Sequence, residues 1–249
     1  MLEHNRSLTR GIDILMAFRP GVDLLGNGEI AERTQLSKAT VSRLTQTLVA
    51  CGMLEHDVRQ KAYRLAAPVL SLGFAMKSSS PVLNIAAPKM RSTSERLKVN
   101  VGLAVPDQID MIYLESIRYQ PRAAFRNIVA GLRVPMELTS LGRAWLAHCS
   151  AARKRELFRA FKARRSKDWT RIREEIDAAQ NSIETQDFCW ASWQPGVLAV
   201  ATALPSVNGQ HHVLNISKND FGSAPIEPMV NALASELLAL KRDIVLTLI

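Results

Sequence analysis

Residues Leu36–Leu44 read Leu-Ser-Lys-Ala-Thr-Val-Ser-Arg-Leu, and this stretch combines a helix start, an apolar stripe and a polar face. Ser37 is a favourable N-cap because its hydroxyl can accept a hydrogen bond from a backbone N–H two or three residues later. The apolar residues Val41, Leu44 and Leu48 recur at helical spacing and form one face. The opposite face carries hydroxyls, an amide and an arginine, which are groups that contact phosphates and base edges.

We predict that this helix is a DNA recognition helix. The residues expected to contact DNA are Ser37, Lys38, Ala39, Thr40, Ser42, Arg43 and Gln46. Taken alone, the segment is equally typical of an amphipathic helix with a solvated polar face. The preceding residues favour DNA binding, because a short helix over Gly28–Arg33, capped by Asn27, and the tight connection Thr34–Ser37 have helix-turn-helix spacing.

Two flanking elements complete the predicted DNA-binding domain. Upstream, a helix over Ser7–Phe18 is expected to brace the recognition helix through one apolar face, made of Leu8, Ile12, Leu15 and Met16. Downstream, Gly52 stands where a helix C′ residue is expected, and residues 53–56 and 62–65 are expected to pair as strands. This hairpin is a predicted wing, and its expected DNA contacts are Arg59, Lys61 and Arg64.

In combination these motifs resemble the IclR (isocitrate lyase regulator) family of bacterial transcription factors, nearly from end to end. The segments that carry the resemblance here are Arg6–Leu8, Glu29–Ala31, Ser37–Leu44, Thr47–Leu48, Gly52–Leu54 and Tyr63–Leu65. The resemblance implies a winged helix-turn-helix domain (residues 1–66), a linker helix and hinge (67–80) and a GAF-like effector-binding domain (81–249). It also implies a homodimer or homotetramer that represses or activates genes in response to a small metabolite.

Composition sets broad limits on the class of protein. Of the 249 residues, 47% are hydrophobic and 22% are charged, which is ordinary for a globular protein. The polar N-terminus and the lack of an apolar run of roughly 18 residues lead us to expect a cytoplasmic protein without a membrane partner. Cys51, Cys149 and Cys189 are widely separated, so we expect free thiols in a reducing compartment.

The net charge of +9 is concentrated away from the predicted recognition helix. Residues 1–77 hold ten basic and seven acidic residues, whereas the segment Arg153–Arg173 holds ten basic and two acidic residues. We predict that this basic segment is a solvated helical face that is dispensable for operator binding. Oligomer contacts, a membrane surface and RNA binding are the alternatives for it.

The C-terminal part of the sequence alternates between helical and strand periodicity. Strands are predicted at residues 99–105 and 109–115 and at 196–204 and 210–217, the second pair joined by the hairpin signal Asn208-Gly209. A helix is predicted at residues 83–97, and a long terminal helix carries one apolar face from Ile226 to Ile244. Helices that flank an antiparallel sheet define an α+β domain.

The segment Gly131–Met136, followed by Thr139–Ala147, is similar to the family's effector-domain signature, in which helix N-terminal amides face a ligand. Such amides and hydroxyls suit a carboxylate, so a small organic acid is expected to bind without metal or cofactor. The alternative is that the same residues cap a buried helix. Carried over from the resemblance, the predicted effector-binding residues are Thr139, Ser140, Leu141, Gly142, Trp193, Ala199, Asn215 and Ser217.

This sequence departs from the family pattern before Gly196, where acidic residues are common and Cys189–Gln194 stands instead. We therefore expect a less polar pocket and an effector that buries some hydrocarbon. An enzyme is not expected, because His211 and His212 point to opposite faces of a strand and no common catalytic motif is present. A metabolite-binding oligomerisation protein, or a small-molecule enzyme with an incidental winged-helix module, is the alternative function.

Overall fold

The computed structural model of the chain describes residues 5–119, 130–207, 209–219 and 225–248. The chain divides into two compact units, one ending at Ser79 and the other beginning at Ser80. Each unit has its own hydrophobic core. None of the helices in the described ranges is long and apolar enough to span a bilayer.

The first unit is a winged helix-turn-helix, as predicted. Its elements are α1 (Arg6–Met16), β1 (Leu25–Gly26), α2 (Asn27–Thr34), α3 (Lys38–Ala50), β2 (Leu54–Asp57), β3 (Ala62–Leu65) and α4 (Ala67–Ser78). The strands form one antiparallel sheet in the order β1-β3-β2, in which the short β1 was not predicted. Gln35 adopts a left-handed conformation (φ 57°) between α2 and α3, which turns the chain sharply into α3.

The predicted packing face of α1 is wrong. The core of the first unit contains Ile14, Ala17 and Phe18 from the end of α1, whereas Leu8, Ile12 and Met16 are exposed. Leu15 is half-buried at the edge of this core. Helix α1 carries two apolar stripes, and the stripe that includes Ile14 is the one that packs against α2 and α3.

Helix α4 lies at the predicted linker helix and has no buried residue. It is nevertheless rich in large apolar side chains, and Leu70, Leu72, Phe74 and Met76 are all exposed. Exposed apolar clusters of this kind mark interaction surfaces in proteins.

The second unit is α+β, as predicted. Its elements are α5 (Pro81–Leu97), β4 (Asn100–Asp107), β5 (Asp110–Ile117), β6 (Arg133–Pro135), α6 (Ser140–Ala147), α7 (Ala151–Arg164), α8 (Trp169–Gln186), β7 (Cys189–Gln194), β8 (Val197–Ala203), β9 (Val213–Asn219) and α9 (Ile226–Leu248). The six strands form an antiparallel sheet in the order β6-β5-β4-β9-β8-β7. The predicted pairs correspond to β4–β5 and β8–β9, while Asn208 of the hairpin signal lies outside the described residues.

The sheet separates two hydrophobic cores. Alternate residues such as Leu103, Val200 and Leu214 face α5 and α9 in one core. Residues between them, such as Ala104, Ala201 and Val213, face α6, α7 and α8 in the other core. We call the second of these the α6 face of the sheet.

Candidate functional site

Helix α3 begins as the sequence predicts. The Ser37 hydroxyl accepts from the Thr40 N–H at 3.3 Å and lies 2.9 Å from the Thr40 hydroxyl. Val41 and Leu44 are buried against α1 and α2, and Leu48 is half-buried. The buried stripe therefore fixes which side of α3 is presented to solvent.

The outward side of α3 presents the predicted recognition residues. Lys38, Ala39, Arg43 and Gln46 are exposed, as is the capping residue Ser37. Thr40 and Ser42 are half-buried on the flanks of this surface. Within the described ranges neither Lys38 nor Arg43 forms an ion pair, so both charges are available to an external anion.

The three wing residues that are predicted to contact DNA differ in whether they form an ion pair within the described part of the protein. Asp57 accepts from the Gln60 N–H at 2.9 Å and from the Arg64 guanidinium at 2.9 Å, so that Arg64 is already paired. The Gln60 backbone bond is the main cause that lowers the pKa of Asp57 from its usual range. Arg59 and Lys61 lie exposed at the turn and form no ion pair in the part of the chain that the structure describes.

The start of α6 is a tightly closed cap. The Thr139 hydroxyl accepts from the Gly142 N–H at 3.2 Å and donates to the Pro135 carbonyl at 3.0 Å. A Cβ on Gly142 would fall 2.0 Å from the Met136 carbonyl oxygen, so only glycine fits there. Leu141 is buried in the core. Capping and packing of α6 therefore already use the side chains of Thr139 and Leu141 and the Gly142 amide. This is the alternative in which these residues cap a buried helix.

Ser140 is the exception among these residues. Its hydroxyl is buried with no hydrogen-bond partner in the described part of the protein. The backbone carbonyl of Ser140 accepts a hydrogen bond from the Cys189 thiol, with 3.4 Å between the sulfur and the carbonyl oxygen. Burial raises the pKa of Cys189 to about 12, so this thiol stays protonated and can donate.

The strand register brings the remaining predicted residues together. Asn215 pairs with Gly102 on β4 and with Ala201 on β8, and two residues later Ser217 pairs with Asn100 and Ala199. Because strand side chains alternate, Asn215, Ser217 and Ala199 share the α6 face. Trp193 is half-buried near the end of β7 and packs against the same core.

Sequence reasoning missed Tyr113, which lies buried on the α6 face. Burial raises the pKa of Tyr113 to about 12, although a hydrogen bond from Asn215 opposes the shift. A Cβ on Gly102 would lie 2.4 Å from the Tyr113 ring and 2.5 Å from the Asn215 oxygen. A glycine inside a strand signals such close approach, so Gly102 was the available clue.

The prediction that the basic segment is solvated is wrong for Arg164. Its guanidinium donates to Asp110 at 2.8 Å and to the fully buried Glu137, which also accepts from Arg165. Burial alone would lower the pKa of Arg164, but its bonds to Asp110 and Glu137 raise it. This network holds the residues just before the α6 cap, since Arg143 also donates to the Glu137 carbonyl.

Other charges of the basic segment are paired at its surface. Arg153 bonds Glu156, Arg171 bonds Glu175, and Arg173 bonds Asp177 while lying 4.3 Å from the centre of the Phe158 ring. In the described ranges no group of three or more His, Cys, Asp or Glu side chains is arranged to hold a metal ion.

Comparisons with known proteins agree with this architecture. Residues 7–58 match the family model of the IclR helix-turn-helix domain, and residues 74–210 match that of the C-terminal domain of the bacterial transcriptional regulator IclR. The HTH-type transcriptional regulator TsaQ1/TsaQ2 of Comamonas testosteroni is 33% identical over 183 residues, which cover 73% of this chain and 66% of that protein.

Solved structures show the same fold. The crystal structure of an IclR family transcriptional regulator from Brucella abortus superposes with a TM-score of 0.86 at 30% identity, covering 97% of this chain and 92% of that one. An IclR homologue from Microbacterium hydrocarbonoxydans, in complex with 4-hydroxybenzoate, has a TM-score of 0.69 at 20% identity and covers 96% and 98% of the two chains.

A winged helix-turn-helix unit followed by a separate α+β unit is the architecture of a DNA-binding transcriptional regulator. The chain belongs to the IclR family of bacterial transcriptional regulators.

Proposed function

We propose that the chain binds operator DNA through α3 and the wing, and that a small organic acid bound in the second unit modulates this binding. The observation that carries the first half is the exposed side of α3, where Lys38, Arg43 and Gln46 lie opposite the buried stripe and neither cation forms an ion pair with a described residue. Arg43 and Gln46 read base edges, whereas Lys38, Arg59 and Lys61 hold phosphates. The protein acts in the cytoplasm, where bacterial operators are found.

The α6 face of the sheet supports the second half of the proposal. Two buried polar atoms there, Ser140 Oγ and Asn215 Oδ1, have no partner among the described residues. Buried polar groups are rarely left unpaired in proteins, so a ligand that hydrogen-bonds both would satisfy them. Ala199 and Trp193 supply apolar surface beside them, which suits an acid with a hydrocarbon part.

We also propose a homodimer or homotetramer of a regulator that has no catalytic role. One recognition helix covers too few base pairs for useful specificity, so two copies must bind one site. A second copy would cover the apolar face of α4, where Leu70 is 77% and Phe74 is 71% exposed. The matched relative from Comamonas testosteroni is itself named as a regulator, which favours regulation over catalysis.

A mobility-shift titration tests the proposal. The chain is mixed with the DNA upstream of its own gene and with a scrambled fragment of equal length. We expect binding to the upstream fragment alone, and a change in that binding when an acid that stabilises the protein is added. Equal affinity for both fragments would contradict operator recognition.

A thermal-shift panel of carboxylates, amines and sugars tests the effector half. A ligand at 100 times its Kd stabilises the native state by about 2.7 kcal/mol, which is a measurable shift. Ser140→Trp, or the milder Ser217→Trp, should abolish shifts caused by carboxylates. Shifts only from amines or sugars, or carboxylate shifts that survive both variants, would overturn this half.

Light scattering tests the oligomer. Leu70→Glu combined with Phe74→Glu should reduce the molar mass to that of a monomer, because charges replace the apolar face of α4. Leu246→Glu is the matched control, since Leu246 is 78% exposed on α9. An unchanged mass in the α4 variant would remove α4 from the interface.

A further inference from the structure

Helix α7 carries a row of three cations, which we call the α7 cation row. Arg155, Arg159 and Lys162 are exposed, and their side chains form no ion pair or hydrogen bond within the described ranges. Because residues three and four apart lie on the same side of a helix, the three side chains share one face. Leu157 and Phe161 are buried on the opposite side, so the packing of α7 turns the row toward solvent.

The α7 cation row is not neutralised by an acidic residue of its own helix. Glu156 is the one acidic residue in the sequence of α7, and its carboxylate is bonded to Arg153 at 3.0 Å. The row spans about 10 Å, since a helix rises about 1.5 Å per residue. Exposed charges interact over about 8 Å at physiological ionic strength, so the fields of neighbouring cations in the row reinforce one another. The row therefore presents a concentrated positive potential to solvent.

The surface around the α7 cation row lacks the apolar groups that other macromolecular partners need. The core of a protein interface is apolar or aromatic and depleted in lysine, and a helix that lies on a membrane needs an exposed apolar face. No large apolar side chain is exposed on α7, which the structure describes in full, because Leu157 and Phe161 are buried and Phe158 is half-buried. The exposed residues beside the row include Ala152 and Ala163. An extended polyanion is the partner that suits such a face.

Duplex DNA has the complementary charge pattern, because each strand carries one phosphate per about 3.4 Å of its axis. The chain belongs to a family of DNA-binding regulators, so a duplex held by the first unit is tethered to α7 at high effective concentration. We propose that the α7 cation row binds the phosphate backbone of duplex DNA without reading its sequence. This inference goes beyond the proposed function, which assigns operator recognition to α3 and the wing.

The salt dependence of DNA binding tests the inference. The full chain is compared with a variant that combines Arg155→Gln, Arg159→Gln and Lys162→Gln, by fluorescence anisotropy with a long duplex of scrambled sequence. We expect the slope of log Kd against log salt to fall by about 2–3, because each lost phosphate contact changes it by about 0.9. Kd at low salt should rise by about tenfold or more. A slope that changes by less than about 1 would overturn the inference.

Two further variants control for net charge and for folding. The matched control removes three exposed cations that form no ion pair with a described residue and lie on other elements of the second unit, through Arg91→Gln, Lys218→Gln and Arg242→Gln. It should change the slope by less than about 1, and an effect equal to that of the α7 variant would overturn the inference. Arg155→Lys combined with Arg159→Lys keeps the charge, so its slope should equal that of the wild type. Circular dichroism checks that each variant is folded.

Other partners of the α7 cation row are distinguished with the same α7 variant. Its affinity is measured for single-stranded RNA and for phosphatidylcholine vesicles that contain phosphatidylglycerol, and its molar mass is measured by light scattering. We expect the loss of affinity to be largest for duplex DNA and the mass to be unchanged. A larger loss for RNA or for vesicles, or a smaller molar mass, would assign the row to that partner and overturn the inference.

Sequence discrimination separates this inference from the proposed function. The α7 variant should weaken binding to operator and scrambled DNA by the same factor, so that the ratio of the two Kd values stays unchanged. A lower ratio in the α7 variant would show that the row reads sequence, and this inference alone would be wrong. If Arg43→Ala leaves the ratio unchanged while the α7 variant still lowers the salt slope, the proposed recognition by α3 fails and this inference stands.

Discussion

Two basic regions of this protein differ in how many of their charges have an internal partner. The side chains of Lys38, Arg43, Arg59 and Lys61 are exposed and form no ion pair within the described ranges. In the far more basic segment Arg153–Arg173, five of the ten basic residues form ion pairs, and Arg164 is tied into a network around the buried Glu137. The number of basic residues along a sequence therefore says less about DNA binding than whether each charge has an internal partner.

The difference has an energetic basis. A paired, partly buried arginine has its charge neutralised by carboxylates, and moving it to a phosphate would leave those carboxylates unpaired. An exposed lysine or arginine without a partner loses only water when it meets a phosphate, and the release of counterions from DNA favours that contact. Three predictions test this contrast, and a fourth concerns a histidine outside both regions.

The largest effect is expected for Arg164→Ala. This change leaves the carboxylate of Glu137 buried with less compensation, and it should lower the free energy of unfolding by about 3 kcal/mol. Urea denaturation followed by circular dichroism measures this. Arg159→Ala, exposed on the same helix, should have almost no effect. Equal stability of the two variants would show that the network contributes nothing.

Arg43→Ala should act on binding and not on folding. Because Arg43 is exposed, the fold should be unchanged, while operator affinity falls by about 1–3 kcal/mol and discrimination between sites relaxes. Fluorescence anisotropy with operator and scrambled DNA measures both quantities. Arg91→Ala serves as the control, and an unaltered operator affinity in Arg43→Ala would exclude α3 as the recognition helix.

Within the wing, Lys61→Ala and Arg64→Ala should differ. Lys61 has no ion-pair partner among the described residues, so its loss should weaken binding to all sequences alike and reduce the slope of log Kd against log salt by about 1. Arg64 is paired with Asp57, so its loss should change that slope less. Anisotropy titrations at several salt concentrations give the slopes. A larger change of the slope in Arg64→Ala than in Lys61→Ala would contradict the idea that internally paired charges contribute less to DNA binding.

The smallest effect concerns pH. Burial is the main cause that lowers the pKa of His148, and the nearby His211 and Lys241 lower it further while Asp187 raises it. The unfolded chain therefore binds the proton more tightly, and the contribution of His148 to stability is lost as pH falls below about 6.5. Melting temperatures at pH 7.5 and 5.5 should differ less in His148→Gln than in the wild type. An identical difference would exclude His148 from this dependence.

The arrangement of α3 could be predicted because it depends on local rules. Ser37 caps α3, Val41 and Leu44 form its buried stripe, and Gly52 adopts the left-handed conformation (φ 69°) that ends the helix. Each of these signals lies within a few residues of the element it defines. The face of α1 was not predictable in this way, because both of its stripes are apolar and only contact with α2 and α3 distinguishes them.

By itself, the sequence determined the winged helix-turn-helix, the α+β class of the second unit and the membership of the family. Hydrophobic period, caps and turn residues are local properties, so they can be recognised in the sequence without coordinates. Only the tertiary structure decided that Arg164 pairs with Glu137, 27 residues away, and that Tyr113 meets Asn215 across Gly102. These contacts depend on strand register and helix packing, which join residues distant in sequence and leave no periodic trace within it.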